Sequence, residues 1–285
     1  MSSDSDLVAV VTGATRGAGK GIAIALGQAG MTVYVTGRST ASTDSPFGGT
    51  TQDTADQVTQ AGGRGIAVTL DHNEDAQVQA LFEVIQRDHG KLDILVNNAA
   101  KVPPVLTSPG FWERRMDEAD LITVGLRSHY IASYYAAPLL IASGAGLIVN
   151  TGHYGAVSYH QGPAYGAQKA GSDKMIADMA KELRPRGVAA ISIWMGGLDT
   201  ERARAYFQSL PEKSRPKNRR ESPEFSGHLI AALQRSAERM SYSGRAMIGA
   251  ELGLALGVTE PGGTLPKSYR YSLGGPPELH RTLLE

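Results

Sequence analysis

The sequence contains no cysteine. Disulfide bonds, thiolate chemistry and cysteine-ligated metals are therefore excluded, and a reducing cytoplasm is the location that we expect. Neither charge is in excess, because 28 Lys and Arg residues balance 28 Asp and Glu residues. Nucleic acids and anionic membranes attract basic surfaces, so this balance argues against both as main partners. A chain without net charge also repels its own copies weakly, which makes oligomers easy to form.

Segments typical of export or membrane insertion are lacking as well. The first residues, MSSDSD, are polar and acidic, without the basic and apolar regions of a signal peptide. Residues 130–149 are uncharged over a length that could span a bilayer. Pro138 and the ASGAG sequence at 142–146 divide this stretch, so it predicts the end of a helix and a separate strand instead. We also predict no metal site.

The sequence does contain a regular alternation of short apolar runs and helical patterns. The runs are apolar on both faces, which is typical of strands covered by helices on each side. Strict alternation predicts a parallel, doubly wound α/β sheet of about seven strands with right-handed crossovers. Strands are predicted at 7–12, 31–36, 65–70, 92–96, 147–151 and 188–194, and helices at 17–29, 51–61, 74–88, about 113–142 and 163–184.

No stretch rich in Pro, Gly or Ser interrupts this pattern before about residue 258. We therefore expect one domain over residues 1–260, followed by an irregular tail over 261–285. Two loops stand out, because residues 39–53 are polar and unusually long and residues 213–220 carry five cations in eight positions. The second loop is either a solvated surface segment or a lid that attracts an anionic group.

The turn between the first predicted strand and the first predicted helix reads TGATRGAG, from Thr12 to Gly19. Gly13, Gly17 and Gly19 have no side chains, so the backbone can approach a pyrophosphate and the helix can pack tightly on the sheet. The amide groups at the helix N-terminus would then face the phosphate charge. Its position after the first strand makes this turn a candidate dinucleotide site.

The end of the second predicted strand, VTGRS at 35–39, distinguishes two dinucleotides. An acidic residue there would bind a ribose 2′-hydroxyl and repel a 2′-phosphate, but this chain has Gly37 and Arg38. Arg16 in the glycine turn supplies a second guanidinium group. Two guanidinium groups suit a phosphate monoester, so we expect NADP, with NADPH preferred over NADH. The alternative is that both are ordinary surface arginines.

Tyr165 and Lys169 are four residues apart in a predicted helix and therefore lie on one of its faces. A phenol has a pKa of about 10, and a neighbouring ammonium group favours the ionised form. Such a pair can donate and accept a proton in catalysis. The spacing alone is a weak signal, and its weight comes from its place after the fifth predicted strand.

Together these motifs resemble the short-chain dehydrogenase/reductase family over roughly residues 6–260. The resemblance extends to NNAA at 97–100 and to GGLDT at 196–200, which is similar to the family's Pro-Gly-x-x-x-Thr turn with Met195 at the proline position. The sequence GLRSHYIASYYAAPLL and the PGGTLP tail are similar, more loosely, to the branch containing dehydrogenase/reductase member one. The resemblance implies a single doubly wound Rossmann domain.

By this resemblance, most site residues are assigned to the cofactor. Arg38 would bind the 2′-phosphate, and Asp71 and His72 would flank the adenine. Lys169 would hold the nicotinamide ribose and lower the pKa of Tyr165, the proton donor. The remaining positions would line the pyrophosphate, the riboses and the nicotinamide: Gly13, Thr15, Arg16, Gly17, Ala18, Gly37, Asn98, Ala99, Leu198 and Thr200.

One departure from the family concerns the serine that polarises the substrate carbonyl. Counting back from Tyr165 with one deletion places it at His153, or alternatively at Gly152. We expect His153 to donate a hydrogen bond to the substrate oxygen, and to add an inflection to the pH profile near its usual pKa of about 6.5. The alternatives are that Tyr154 or Ser158 takes this role, or that the site is disabled.

A second departure concerns the helix asparagine with which the family anchors a proton-relay water. Counted back from Pro138, this position falls on Gly125. Glycine permits a helix irregularity but supplies no side chain. Both departures weaken the prediction of catalysis and leave the prediction of cofactor binding unchanged.

We therefore predict an NADP-dependent oxidoreductase that interconverts a small-molecule carbonyl and an alcohol by hydride transfer. Two alternatives remain, namely a dehydratase-like enzyme that transfers protons without net redox chemistry and a dinucleotide-binding protein without catalysis. We also expect a homodimer or homotetramer, because the helices at about 113–142 and 163–184 are too apolar for both to face solvent. The alternative is that the C-terminal tail covers them.

Overall fold

The computed structural model of the protein describes residues 7–101, 110–215 and 220–284. Its centre is a parallel sheet of seven strands in the order β3-β2-β1-β4-β5-β6-β7. The strands are β1 (Val8–Val11), β2 (Thr32–Gly37), β3 (Arg64–Thr69), β4 (Ile94–Asn97), β5 (Leu147–Gly152), β6 (Ala189–Trp194) and β7 (Ala246–Ile248). The predicted doubly wound α/β fold is confirmed.

Helices connect the strands and cover both faces of the sheet. They are α1 (Gly17–Gln28), α2 (Thr51–Gln60), α3 (Asp75–His89), α4 (Asp120–Ile122), α5 (Ser128–Ala142), α6 (Pro163–Leu183), α7 (Glu201–Ser209), α8 (Phe225–Arg235), α9 (Arg239–Tyr242), α10 (Gly249–Leu256), α11 (Arg270–Leu273) and α12 (Arg281–Leu284). A π-helical segment, Thr123–Arg127, joins α4 to α5.

Local sequence signals set the ends of several helices. Thr50 and Asp53 form a capping box in which each side chain accepts a hydrogen bond from the other residue's backbone amide, and α2 begins there. Pro163 occupies the first turn of α6, where its missing N–H has no helical partner to lose. Gly90 and Gly257 end α3 and α10 in the left-handed conformation that glycine adopts without strain.

The core consists of two layers, one on each face of the sheet. Ala9 and Val11 of β1 pack against α1, α2, α8 and α10, whereas Val8 and Val10 pack against α3, α5 and α6. Each buried Val contributes about 1.5–3 kcal/mol through removal of its side chain from water. Burial on both faces explains why the strands are continuous apolar runs in the sequence.

The strand order reverses between β1 and β4, which lie side by side in the middle of the sheet. Doubly wound sheets bind ligands at the carboxyl ends of their strands, beside this reversal. The glycine turn follows β1, residues 98–100 follow β4, and His153 follows β5. The topology therefore brings the predicted site residues to one edge.

The predicted helix at about 113–142 is not continuous. Short helical turns lead into α4, the π-helical segment follows, and regular α-helix begins only at Ser128. Gly125 is buried at the centre of the π-helical segment, so the helix irregularity that this glycine permits is present. Segments of this kind are frequent at functional sites.

Other predictions needed smaller corrections. Pro138 lies inside α5, which ends at Ala142 close to the predicted position, and the predicted separate strand follows as β5. The predicted irregular tail contains the short helices α11 and α12. Residues 216–219 of the basic loop lie outside the described residues. Within the described ranges, no helix is both long and apolar enough to cross a bilayer.

Candidate active site

A cavity of about 520 Å³ lies along the carboxyl edge of the sheet, between the glycine turn and α7. This volume is in the range of small-molecule and cofactor sites, which is about 300–1,000 Å³. The cavity is lined by every predicted site residue except Lys169: Gly13, Thr15, Arg16, Gly17, Ala18, Gly37, Arg38, Asp71, His72, Asn98, Ala99, His153, Tyr165, Leu198 and Thr200.

The glycine turn leaves its backbone accessible to the cavity. Gly13 and Gly17 have φ angles of +64° and +60°, which favour glycine. A Cβ on Gly13 would lie 2.7 Å from the Cα of Ala99, and a Cβ on Gly19 would lie 2.5 Å from the Gly13 oxygen. The Asn98 side chain also donates a hydrogen bond to that oxygen (3.1 Å). The turn therefore has the shape that a bound pyrophosphate requires.

An anionic group of the chain itself lies at the N-terminus of α1. The amide of Gly17 donates a hydrogen bond to the carboxylate of Glu201 (3.0 Å), the first residue of α7. The carboxylate oxygen stands in for a phosphate oxygen at the positive end of the helix dipole. No local sequence pattern indicates this contact, because it joins residues 184 positions apart. It supports the fit of this turn to a dinucleotide phosphate.

Two arginines lie at the opposite end of the glycine turn. Arg16 donates hydrogen bonds to Ser39 Oγ (2.6 Å) and to the Gly48 carbonyl (2.7 Å), so it holds the long 39–53 loop against the turn. Arg38 is 63% exposed and makes a 3.5 Å contact with Asp71. Burial lowers the pKa of Arg16, and the positive charge of Arg38 lowers it further. The two guanidinium groups therefore form one positive region.

Tyr165 lines the cavity, and Lys169 lies buried beneath it. The Nζ of Lys169 is 5.6 Å from the centre of the Tyr165 ring and donates a hydrogen bond to the Thr151 carbonyl (2.8 Å). Burial lowers the pKa of Lys169 to about 8, although the charge of Asp173 opposes this change. Burial raises the pKa of Tyr165, which is opposite to the predicted direction. Removal of the phenolate from water outweighs the attraction of the nearby ammonium group.

His153 has one defined neutral form. Its Nδ1 accepts a hydrogen bond from the backbone amide of Gly155 (2.9 Å), so the ring proton is on Nε2. Burial lowers the pKa of His153 to about 3, and the charges of His160 and Lys169 contribute. Its ring centre is 5.7 Å from that of Tyr165. Within the described part of the chain, Nε2 makes no hydrogen bond, so this donor remains available beside Tyr165.

The alternative groups do not line the cavity. The hydroxyl of Tyr154 accepts a hydrogen bond from the Tyr269 amide (3.0 Å), and the Tyr154 side chain is buried. Ser158 donates its hydroxyl hydrogen to the carbonyl of Tyr154 (3.0 Å). A Cβ on Gly152 would lie 2.4 Å from the Trp194 ring. Of these candidates, only His153 lines the cavity.

Two further cavity residues were missed from the sequence. The ring of His160 stacks against that of His153 with centres 4.5 Å apart. Gln161 has a φ of +55°, a strained conformation for a non-glycine residue, and Arg114 donates a hydrogen bond to its carbonyl (3.0 Å). No local sequence pattern distinguishes these residues, and the position of Gln161 depends on a contact with Arg114, 47 positions away.

Comparison with known proteins agrees with this geometry. A family model for short chain dehydrogenase matches residues 7–210. Dehydrogenase/reductase SDR family member 1 from Mus musculus is 38% identical, covering 94% of this chain and 87% of its own length. The Homo sapiens protein of that name is 36% identical, covering 92% and 85%.

A solved structure of a dehydrogenase candidate from Xanthomonas campestris has a TM-score of 0.74 at 23% identity, covering 91% of this chain and 92% of that one. At this identity the likeness concerns the fold alone. The family model and the two relatives show more than the fold, because they match the sequence of this chain over most of its length. The chain therefore belongs to the short-chain dehydrogenase/reductase family of oxidoreductases, on the member-one branch, and this family implies a nicotinamide dinucleotide cofactor.

Proposed function

We propose that the protein is an NADP-dependent carbonyl reductase or alcohol dehydrogenase for small molecules. The observation that carries this proposal is the defined tautomer of His153, whose Nε2–H makes no hydrogen bond within the described residues and whose ring centre lies 5.7 Å from that of Tyr165 in the same cavity. One carbonyl oxygen between them could receive a hydrogen bond from the imidazole and a proton from the phenol. In this proposal, His153 supplies the hydrogen-bond donor that the family's serine usually provides.

Each side chain has a distinct task in this proposal. The nicotinamide, when bound, supplies or accepts the hydride. Tyr165 gives its proton to the substrate oxygen during reduction, and burial keeps the phenol protonated until then. His153 stabilises the negative charge that develops on that oxygen, an effect of about 2.7–4 kcal/mol for one such donor. The ammonium group of Lys169 stabilises the phenolate that remains.

The preference for NADPH rests on the positive region formed by Arg16 and Arg38. The chain has no acidic residue at position 37, where an acid would repel a 2′-phosphate. Asp71 is the nearest carboxylate to Arg38, and its 3.5 Å contact is long for an ion pair. The exposed guanidinium group of Arg38 can therefore reach a phosphate monoester without losing a buried partner.

We further propose a homodimer or homotetramer formed by one domain spanning residues 1–260. Tyr130 and Tyr134 on α5 are 52% and 64% exposed, as expected for an apolar face that a second copy covers. The described part of the C-terminal tail contacts α6, where Lys181 donates a hydrogen bond to the Thr282 carbonyl, but it leaves Tyr130 and Tyr134 of α5 exposed. A cytoplasmic location is proposed from the lack of cysteine alone.

The test is incubation of the purified protein with NADPH and a panel of small ketones, following the loss of reduced nicotinamide. We expect turnover of at least one ketone, faster with NADPH than with NADH, and none in Tyr165→Phe. Tight NADPH binding without turnover of any ketone or alcohol would refute the redox proposal and favour a binding protein. Elimination of water from a hydroxy substrate without change in NADPH would favour the dehydratase-like alternative.

A further inference from the structure

A second cavity, of about 320 Å³, lies between the turn that follows β6 and the C-terminal tail. Gly196 and Gly197 line it from the turn, and Tyr269 lines it from the tail. Its volume is within the range of small-molecule sites, about 300–1,000 Å³, and the proposed oxidoreductase chemistry does not use it. Four charged side chains also line this second cavity: Arg220, Glu221, Glu260 and Lys267.

The two carboxylates of the second cavity are buried and only half satisfied. Glu221 is 5% exposed and Glu260 is 4% exposed. Glu221 Oε2 accepts a hydrogen bond from the Gly196 amide (3.0 Å), and Glu260 Oε1 accepts one from the Ser222 amide (2.8 Å). The other oxygen of each carboxylate is buried without a hydrogen-bond partner in the described part of the chain. A carboxylate can only accept hydrogen bonds, so these two oxygens require donors that the described residues do not supply.

The two cationic side chains of the cavity contact other groups. Arg220 Nε donates a hydrogen bond to the Leu198 carbonyl (2.7 Å), and its guanidinium group lies 4.6 Å from the centre of the Phe207 ring. Lys267 Nζ lies 5.4 Å from the centre of the Tyr269 ring. Among the described residues, neither cation forms an ion pair with Glu221 or Glu260. The charges of both signs therefore remain available to a ligand.

This set of groups is complementary to a molecule that carries charges of both signs. A primary ammonium group has three N–H donors, which suit the unpaired oxygens of Glu221 and Glu260. A carboxylate group accepts charge-assisted hydrogen bonds from arginine and lysine. Leu265 and Pro266 also line the cavity and can contact the carbon chain between the two charged groups.

A metal ion fits the second cavity less well. Calcium takes six to eight oxygen ligands and magnesium requires octahedral coordination, whereas Glu221 and Glu260 are two carboxylates. Within the described ranges, no group of three or more His, Cys, Asp or Glu side chains could hold a metal ion. Two cations in the same lining would also repel a metal ion.

We propose that the second cavity binds a small zwitterion of the amino acid class, with its ammonium group between Glu221 and Glu260 and its carboxylate group on Arg220 and Lys267. The site is separate from the proposed chemistry, although both cavities share Gly196, Gly197 and Arg220 as lining residues. Its existence does not depend on the proposed function.

The first experiment is calorimetry of the purified protein with glycine, L-leucine, 4-aminobutanoate and 5-aminopentanoate. At least one of these zwitterions should bind with a Kd below about 1 mM. The amine and the carboxylic acid that match it in chain length should each bind about tenfold more weakly, because each lacks one charge-assisted contact. Absence of binding by all four zwitterions, or binding of Mg²⁺ or Ca²⁺ in their place, would overturn the proposal.

The second experiment compares Glu260→Gln with Glu118→Gln. Glu118 is a matched control, because it is 8% exposed and has one unpaired buried oxygen, but it lies 3.5 Å from Arg114 in an ion pair and lines neither cavity. Glu260→Gln should weaken binding of the zwitterion about tenfold or more, and Glu118→Gln should leave its Kd unchanged. An unchanged Kd in folded Glu260→Gln would overturn the proposal.

An exposed residue provides a variant that does not threaten the fold. Lys267→Met removes one cation at the surface. It should weaken binding of the zwitterion and leave binding of the matched amine unchanged, because the amine has no carboxylate group. Equal effects on the zwitterion and the amine would remove Lys267 from the site.

The third experiment measures protons released on binding. Burial raises the pKa of Glu221 to about 7, and the charge of Glu260 contributes; the other titratable groups that line the cavity with it are Arg220, Lys267 and Tyr269. An ammonium group favours the ionised carboxylate, so binding at pH 7 should release about half a proton. Calorimetry in buffers of different ionisation enthalpy measures this release. Equal release in Glu221→Gln would place the ammonium group elsewhere.

Saturating NADPH separates the two cavities. We expect the zwitterion to bind in its presence, because the cofactor is assigned to the larger cavity. Loss of binding with NADPH would place the zwitterion in the cofactor cavity and overturn the second site. None of the calorimetric tests needs turnover, so a wild type that reduces no ketone refutes the proposed function and leaves this inference to be decided by the Glu260→Gln and Lys267→Met variants.

Discussion

The two ends of the cavity differ in the kind of chemical group that shapes them. At the end that contains the glycine turn, the phosphate end, the backbone determines the shape of the cavity through glycine conformations and the Asn98 hydrogen bond to the turn. At the other end, the catalytic end, the groups are side chains, and the proposed function gives His153 the role that the family assigns to a serine. A backbone conformation that requires glycine tolerates few substitutions, whereas a hydrogen-bond donor can come from any residue type whose side chain reaches the same position. Loss of a catalytic motif therefore does not imply loss of its chemistry.

The variant with the largest expected effect tests whether the catalytic end carries out ketone reduction. Tyr165→Phe removes the proton donor and leaves the ring, its packing and the phosphate end unchanged. We expect kcat for ketone reduction to fall by about 10³-fold or more, with the Kd for NADPH within about twofold of wild type. Stopped-flow single turnovers and fluorescence quenching of bound NADPH measure the two quantities. Equal losses of kcat and of affinity for NADPH would show that the two ends of the cavity are not independent.

His153→Ala should cause the next largest loss, because it removes the hydrogen-bond donor to the developing oxyanion. We expect kcat to fall by about 10²-fold, a typical effect for one such donor, and His153→Ser to retain more activity than His153→Ala. The matched control is His89→Ala, since His89 is at the end of α3, away from the cavity. Full activity in His153→Ala would assign the polarising role to another group.

The pH profile tests the protonation state of the same residue. With its pKa lowered to about 3, His153 stays neutral above about pH 5 and adds no inflection between pH 5 and 8. The sequence-based expectation of an inflection near 6.5 is thereby reversed. In the unfolded chain, the same imidazole has its usual pKa of about 6.5 and gains a proton as the pH falls below it. The contribution of His153 to the free energy of unfolding is therefore present above pH 6.5 and declines as the pH falls towards 3. Rate profiles of wild type and His153→Ser should coincide in shape.

Features that depend on the local backbone could be predicted from the sequence, and features that depend on the burial of side chains could not. Gly13, Gly17 and Arg38 were assigned from local spacing, because a strand–turn–helix connection determines where their backbone lies. The lowered pKa of His153 and the raised pKa of Tyr165 depend on burial, which no local pattern reports. The hydrogen bond from Gln168 to the Gly125 carbonyl was not predicted either, because it joins two helices 43 positions apart. No position was predicted for β7, because a strand of three residues is too short to show a recognisable apolar pattern.

At the phosphate end, Arg38→Ala should weaken binding of NADPH and leave NADH nearly unaffected. A charge-assisted hydrogen bond is worth about 1.5–3 kcal/mol, less the screening that applies to a 63% exposed side chain, so we expect about a tenfold rise in KM for NADPH. Arg87→Ala, another exposed arginine beside an aspartate, is the control. Equal losses for both cofactors would remove the assignment of Arg38 to the 2′-phosphate.

The smallest effect concerns Glu201, whose carboxylate accepts the Gly17 hydrogen bond at 3.0 Å. An anion at a helix N-terminus is stabilised by about 0.3–1 kcal/mol, and this stabilisation has to be given up when a pyrophosphate takes its place. Glu201→Gln keeps the side-chain shape and removes the charge, so NADPH should bind about two- to fivefold more tightly by calorimetry. The gain should shrink at high salt, because screening weakens the contact that the mutation removes. Glu212→Gln, in an exposed turn beyond α7, should change neither quantity. Weaker NADPH binding in Glu201→Gln would mean that the carboxylate holds α7 over the bound cofactor and does not compete with it.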